Sequence, residues 1–533
     1  MRHSRPRAIT WLLLFSLLLG LYANTWGLPE QLRYPDHLTG GVLKMAADKS
    51  VFMGSFHRSQ GVYFLYAAVQ LPYLGIEYLR GDLPVDSIHG IYDMPPRILR
   101  NIVLLGRILS ALLTTLAVFL VYLAAMQFLS EPYALLAALL VATNTFVLTY
   151  AHYVTDLSPA LLGATMVCYF LARVLRNGAH AGSGVVKQAG RRADAQRDFA
   201  LLCASVGFAA SMKYLFGFLI LAPLLFLVPR RHARSDGCRA RWLLLIPLVF
   251  LVLNPTLLVR PQQFLDEALF YSSHSSEGFA GLVVSYPVIL LYLQSFVQSF
   301  WWPSTLLLLL ALVISLRQWE AQPAAHALLL AVFLAFFGSW HYMVPRMLLV
   351  IVPSAALLVA WGVSRMRAGH ILLVLLAACA ILYGVTAVAA FSHDSRDAAS
   401  SYLAALPTQR VLAATAVQEF NPFLDGNEPV SLEQLIVVHK VTGIPYVTLL
   451  ADSDACLAVL SSYLYGVYVP EEDSVFSGMF LAGRLDDPAA KQLYEGLLDG
   501  SLGFHTQQEF RYHTLFGQVL EEVNPRIVVL SRC

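Results

Sequence analysis

LGRILSALLTTLAVFLVY, Leu105–Tyr122, decides the architecture of this chain. It carries one arginine and several small residues in an otherwise apolar run. The run extends over about 101–123, close to the ~20 residues that an α-helix needs to cross a bilayer. Similar stretches recur on both sides, near 8–27, 132–150, 157–175, 198–211, 213–229, 242–259, 301–317, 326–343, 345–362 and 370–391. Eleven spans are therefore expected, and Leu282–Phe300 is a further span or an interfacial helix. The break between 198–211 and 213–229 is placed around Ser211–Met212. Composition agrees. Of 533 residues, 57% are hydrophobic and 13% charged, against roughly 25% charged in soluble domains. Mean hydropathy is +0.62. The fold class is a polytopic α-helical membrane protein. A net charge of +2 gives no sign of a nucleic-acid partner.

The basic N-terminus MRHSRPRAIT precedes an apolar run and reads as an uncleaved first helix rather than a signal peptide. With that end in the cytoplasm, Arg173–Asp198 and Arg230–Arg241 fall inside, rich in Lys and Arg as the positive-inside rule requires. Leu28–Arg100 becomes a first outer loop, residues 260–300 a second, and everything after Phe391 lies outside. Residues 1–391 form the membrane module. Residues 392–533 have soluble composition and read as a small α/β domain. PTQRVLAATAV and NPRIVVLSR read as strands. DPAAKQLYEGLLDG reads as a helix capped by Asp487 and stopped at Gly500. Of six cysteines none has zinc-site spacing, and Cys456 and Cys533 can pair if the tail faces an oxidising compartment. The absence of an N-x-[ST] sequon and the short basic N-terminus favour a bacterial inner membrane.

Polar residues gather at helix ends on the expected outer side. Asp36 lies in RYPDHLTGG just after the first span. Asp156 lies in the turn AHYVTDLSP, Lys213 in SMKY, and His341 and Arg346 in HYMVPR. His274 and Glu277 lie in YSSHSSEGF. Each has a plain alternative. Lys213 and Arg346 can snorkel to lipid phosphates, Asp156 and Asp36 can cap helices, and His274 can serve as a loop hydrogen-bonding group. Taken together, two carboxylates and two cations at membrane ends suit a lipid-phosphate substrate. The cations would hold the phosphate leaving group and a carboxylate would take the proton of an attacking hydroxyl.

These motifs, in this order, resemble the GT-C glycosyltransferases, in particular the branch of protein O-mannosyltransferases and the lipid A aminoarabinose transferase. The resemblance is carried by YPDH after the first span, LGRILSALLTTLAVFLVY, YALLAALLVATNTFVLTYAHYVTDLSPALL, GFAASMKYLFGFLILAPLL, NPTLLVRPQQFLDEALFYSSHSSEGFAG and HYMVPRMLLVIVPSAALL. It covers most of residues 8–391 and, more loosely, the tail. One departure is His37, where many relatives carry Glu; it puts a second acid in doubt there.

The resemblance implies a GT-C fold of about 11–13 transmembrane helices. It implies transfer, with inversion, of a sugar from a polyprenyl-phosphate donor to an extracytoplasmic protein, lipid or glycan acceptor. Carried over by position, Asp36 and Asp156 are the catalytic carboxylates and Lys213 and Arg346 bind the donor phosphate. His37, His274, His341 and Tyr342 line the cavity. A divalent metal is left open, with Asp36, Asp156, His37, His57 and His274 as candidate ligands. Two other classes compete: a flippase for lipid-linked sugars, and a non-catalytic subunit of a cell-envelope assembly. Charges at outer ends rather than the midplane, and no internal repeat, speak against a transporter.

Overall fold

The computed structural model describes residues 6–22, 24–28, 36–52, 54–83, 94–179, 188–226, 240–277, 288–340, 345–414, 422, 424, 427–466, 468–469, 487–512 and 524–533. Each of the eleven apolar stretches contains helix. Four described helices are long and apolar enough to cross a membrane, or six if each bent pair counts as one span. Four further apolar helices are shorter, Arg7–Leu21, Tyr214–Leu224, Arg241–Leu253 and Val352–Ser364, and Gln188–Met212 is long enough but opens on a charged stretch.

The breaks have local causes. The stretch expected at 132–150 is two helices, Glu131–Ala142 and Thr145–Ala151, bent by 58°. Asn144 caps the second piece, its side chain accepting from the Phe146 and Val147 amides, while its Nδ2 donates to the Ser299 carbonyl at 3.0 Å. The amide side chain thus satisfies backbone groups that the break exposes, which an apolar setting requires. The helix Gln188–Met212 stops at Lys213, whose backbone is extended, and a 3₁₀ segment Tyr214–Ile220 follows. Further on, Val288–Phe300 meets Trp302–Gln318 at 119°, with Trp301 at φ 63° on the corner.

Helix Leu157–Ala179 packs closely against Gln188–Met212. A Cβ added to Gly163 would sit 2.7 Å from the Ala209 Cα, so only glycine permits the approach. The long segment expected as a first loop is itself folded. It holds helices His37–Ala47 and Gln60–Leu79, the second burying Tyr63, Tyr66, Gln70 and Leu74 along one side. In the second loop, helix Pro261–Glu277 lies against the first through Glu267, which accepts from the Phe56 amide at 2.7 Å and the Ser55 hydroxyl at 3.1 Å.

The C-terminal part carries a five-stranded sheet in the order β2-β1-β3-β5-β4, with β1 Arg410–Ala413, β2 Glu428–Ser431, β3 Leu457–Ser461, β4 His505–Phe510 and β5 Ile527–Ser531. Strand β1 runs parallel to β2 and β3, and β5 antiparallel to β3 and β4. Strand alternation supplies two apolar faces. Val411, Leu457, Val459, Ile527 and Val529 pack on helix Ser395–Ala404. Leu412, Ala458, Leu460, Val528 and Leu530 pack on helices Leu432–Thr442, Tyr446–Asp452 and Pro488–Leu498. Asp487 caps the last of these through the Ala490 amide, and Gly500 follows at φ +82°, as the sequence indicated. Cys456 and Cys533 are disulfide-bonded. The register Leu457↔Ser531 places the chain end beside the start of β3 and makes the bond possible.

Candidate active site

Two charged pairs meet around the turn His152–Asp156. The first is buried. Arg107 is fully buried and Asp36 is 4% exposed. Arg107 Nη2 donates to Asp36 Oδ2 at 2.6 Å and its Nε to Oδ1 at 3.3 Å. Nη1 donates to the carbonyls of Asn24 and Trp26 at 2.8 and 2.7 Å. The guanidinium therefore fixes both the chain after the first helix and the carboxylate that opens the next one. A buried pair of this kind is tolerated only when its remaining donors and lone pairs are also used. Asp36 Oδ1 also accepts the Val154 amide at 2.8 Å, which ties the first loop to the turn two residues before Asp156.

The turn is held from other sides as well. The Tyr66 hydroxyl donates to the Thr155 carbonyl at 2.9 Å, and the Ser110 hydroxyl to the Tyr153 carbonyl at 2.7 Å. Asp156 is thus presented at the start of helix Leu157–Ala179 by a fixed backbone.

The second pair is more open. Lys213 Nζ donates to Asp156 Oδ2 at 2.7 Å, with side chains 12% and 13% exposed. The break that ends helix Gln188–Met212 leaves Lys213 extended and lets its ammonium reach across 57 residues of sequence. Arg58 and Arg346 contribute positive potential to both members of the pair. Burial works against charge on Asp156, but Lys213, Arg58 and Arg346 outweigh it and hold the carboxyl below its ordinary value. Burial, then Arg346 and Arg58, draw the Lys213 ammonium below its ordinary value despite Asp156. Three cations act on one carboxylate here, an arrangement that favours an anion such as a phosphate.

Of the residues singled out in the sequence, Asp156, Lys213 and Arg346 share this electrostatic cluster. Asp36 joins it through the Val154 backbone. His274 lies on helix Pro261–Glu277 and His37 begins helix His37–Ala47; their side chains fall outside the described set, as do residues His341 and Tyr342. His57 lies 3.6 Å from Glu267. Among the described residues no three His, Cys, Asp or Glu side chains gather, and both catalytic-candidate carboxylates are engaged by cations. The described residues do not make a metal site, and no step below is routed through one.

Sequence reasoning gave no role to Arg107, Arg58 or Trp26. Arg107 had a usable signal, since it is the one charge in Leu105–Tyr122 and an ionisable group inside an apolar helix marks a functional or structural pairing. Arg58 had none.

The segment from Arg107 through Asp156 to Lys213 lies within a family match. Residues 100–261 match the family model of dolichyl-phosphate-mannose-protein mannosyltransferase. This mannosyltransferase-type segment is under a third of the chain. It supports the GT-C resemblance where both the Asp156–Lys213 pair and Arg107 lie, and it leaves Asp36, Arg58 and Arg346 outside. A comparison with curated proteins returns no match. Similar solved structures include ArnT from Cupriavidus metallidurans bound to undecaprenyl phosphate, at 14% identity over 98% of this chain and 97% of that one, TM-score 0.49. Another is the apo oligosaccharyltransferase of Archaeoglobus fulgidus, at 11% identity over 91% and 72%, TM-score 0.49. The protein O-mannosyltransferase Pmt1-Pmt2 complex of S. cerevisiae, bound to the sugar donor, follows at 16% identity over 56% and 37%, TM-score 0.34.

Proposed function

We propose that this chain is an integral-membrane glycosyltransferase that moves a sugar from a polyprenyl-phosphate donor to an acceptor outside the cytoplasm, with inversion. The observation that carries the reading is the cationic cluster. Lys213 pairs with Asp156, and Arg58 and Arg346 add positive potential to that pair, beside a segment similar to enzymes named for a dolichyl-phosphate sugar.

The roles follow from the charges. The acceptor oxygen attacks the anomeric carbon, the bond from that carbon to the phosphate oxygen breaks, and the electron pair leaves on the phosphate. Lys213, Arg58 and Arg346 stabilise the charge that grows there, the kind of interaction that is stronger in the transition state than in the ground state. Asp156 keeps the Lys213 ammonium pointed at the phosphate. Asp36 takes the acceptor proton through Oδ2, which holds one hydrogen bond where Oδ1 holds two. The disulfide supports an oxidising compartment for the tail, which, with the odd number of spans expected from the sequence, puts the N-terminus in the cytoplasm.

The test is release of polyprenyl phosphate from a panel of short-chain polyprenyl-phosphate hexoses and pentoses by the purified protein. Wild type is expected to release it from one donor and Asp36→Asn to lose turnover while still binding the lipid. No release and no lipid binding by a folded wild-type protein sinks the reading. Full turnover in Asp36→Asn with none in Asp156→Asn reverses the two carboxylate roles.

A further inference from the structure

Trp26 stands between the site and the C-terminal part of the chain. Its carbonyl accepts from Arg107, and its indole Nε1 donates to Asp394 Oδ2 at 2.9 Å. Two guanidinium groups approach its ring, Arg107 with Cζ 6.0 Å from the centroid and Arg396 with Cζ 5.3 Å. Phe391 packs edge-on at 5.0 Å, and Tyr153 lies tilted at 5.7 Å. Asp394 and Arg396 are both buried, with Arg396 Nη2 donating to Asp394 Oδ2 at 2.7 Å and Nε to Oδ1 at 2.8 Å.

The same residues anchor the sheet. Asp394 caps helix Ser395–Ala404 through the Arg396 amide. The Ser395 amide donates to Asn524 Oδ1 at 2.8 Å, and Asn524 Nδ2 donates back to the Ala390 and His393 carbonyls. Ile527, three residues on, pairs with Ser461 at the carboxyl end of β3. A path of buried hydrogen bonds joined by short backbone steps therefore runs from the sheet through Asn524, the backbone on either side of Asp394, Trp26 and Arg107 to Asp36 and the Val154 amide.

We propose that the C-terminal domain sets the position of the Asp36 carboxylate through Trp26, making Trp26, Asp394 and Arg396 positioning residues for the transfer reaction. The inference rests on the function proposed above for Asp36. The physical reason is rigidity. An arginine buried with four hydrogen bonds cannot move without Trp26, because one of those bonds ends on the Trp26 carbonyl. Trp26 in turn cannot turn without releasing Asp394. Catalytic groups tolerate little displacement, and a shift of ~1 Å can lower the rate by ~100-fold.

The experiment compares full-length wild type, Asp394→Asn and Trp26→Phe by hydrogen–deuterium exchange and by turnover. The asparagine keeps size but loses the charge that holds Arg396; the phenylalanine keeps a ring but loses the indole donor. Both are expected to speed exchange of the Val154 amide by about tenfold or more while β3 stays protected, since opening is local. Turnover should fall by about tenfold or more with the affinity for polyprenyl phosphate held within ~2-fold, because the phosphate cluster is untouched. An unchanged Val154 amide in both variants overturns the proposal. So does faster exchange with unchanged turnover, which reduces the contact to a brace. A folded wild type that neither binds polyprenyl phosphate nor releases it from any donor rejects the function proposed above, and the exchange data then decide the mechanical link alone.

Discussion

Arg107 and Asp36 can be removed one at a time or together, and the difference measures the pair. Arg107→Met deletes four hydrogen bonds and leaves a buried carboxylate that keeps, among the described residues, the Val154 amide. Removing one member of a buried ion pair costs about 3–5 kcal/mol. Asp36→Leu strands the guanidinium in the same place and costs about as much. If the two sites were independent, the double variant would lose about 6–10 kcal/mol. In the double variant no charge is left behind. What remains is the Val154 amide and the Asn24 and Trp26 carbonyls without their partners, at roughly 1 kcal/mol or somewhat more each. The double variant should then lose only about 3 kcal/mol, giving a coupling of about 3–7 kcal/mol. Far-UV circular dichroism during unfolding by SDS in mixed micelles, applied to all four proteins, reads the cycle. A double variant that equals the sum of the singles to within ~0.5 kcal/mol refutes the reasoning.

Three further expectations follow from the open pair and the disulfide. Lys213→Met and Arg58→Met should each weaken binding of polyprenyl phosphate by about 10- to 100-fold, the worth of one charge-assisted contact; calorimetry showing no change removes that residue from the phosphate site. Because the Lys213 ammonium is held below its ordinary value, phosphate affinity should fall on the alkaline side sooner than for an ordinary lysine, and Lys213→Arg should abolish that limb. The signs for stability differ. Between the lowered value of Lys213 and the ordinary one the unfolded chain binds more protons, so this group's contribution rises with pH there. The stabilisation from Asp156 is present above the ordinary carboxyl range and is lost as pH falls through its lowered value. Finally, Cys456→Ser should remove up to about 4.5 kcal/mol from the sheet domain, the loop-closure value for a 77-residue separation. Limited trypsin digestion checks it, and tail cleavage no faster than in wild type contradicts it.

Much of the architecture is written locally. The apolar runs show helices because their length and lack of charge leave few other states in lipid, and the helix Pro488–Leu498 is marked by Asp487, which caps the amide three residues on, and by Gly500 just past its end. The strands β1 and β5 show through short β-branched and aliphatic runs. Asp156, Lys213 and Arg346 stood out because a charge at the end of an apolar helix is unusual whatever it touches. The tertiary structure alone decided who touches whom. Asp36 meets Arg107 across 71 residues and Trp26 meets Asp394 across 368. Arg58 joins Lys213 only because the first loop folds back as helix over the end of Gln188–Met212. Helix and strand periods act over a few residues and leave a signature in the chain. A buried ion pair depends on how whole helices pack, and each of its members, read alone, looks like an ordinary cap or an ordinary snorkelling cation.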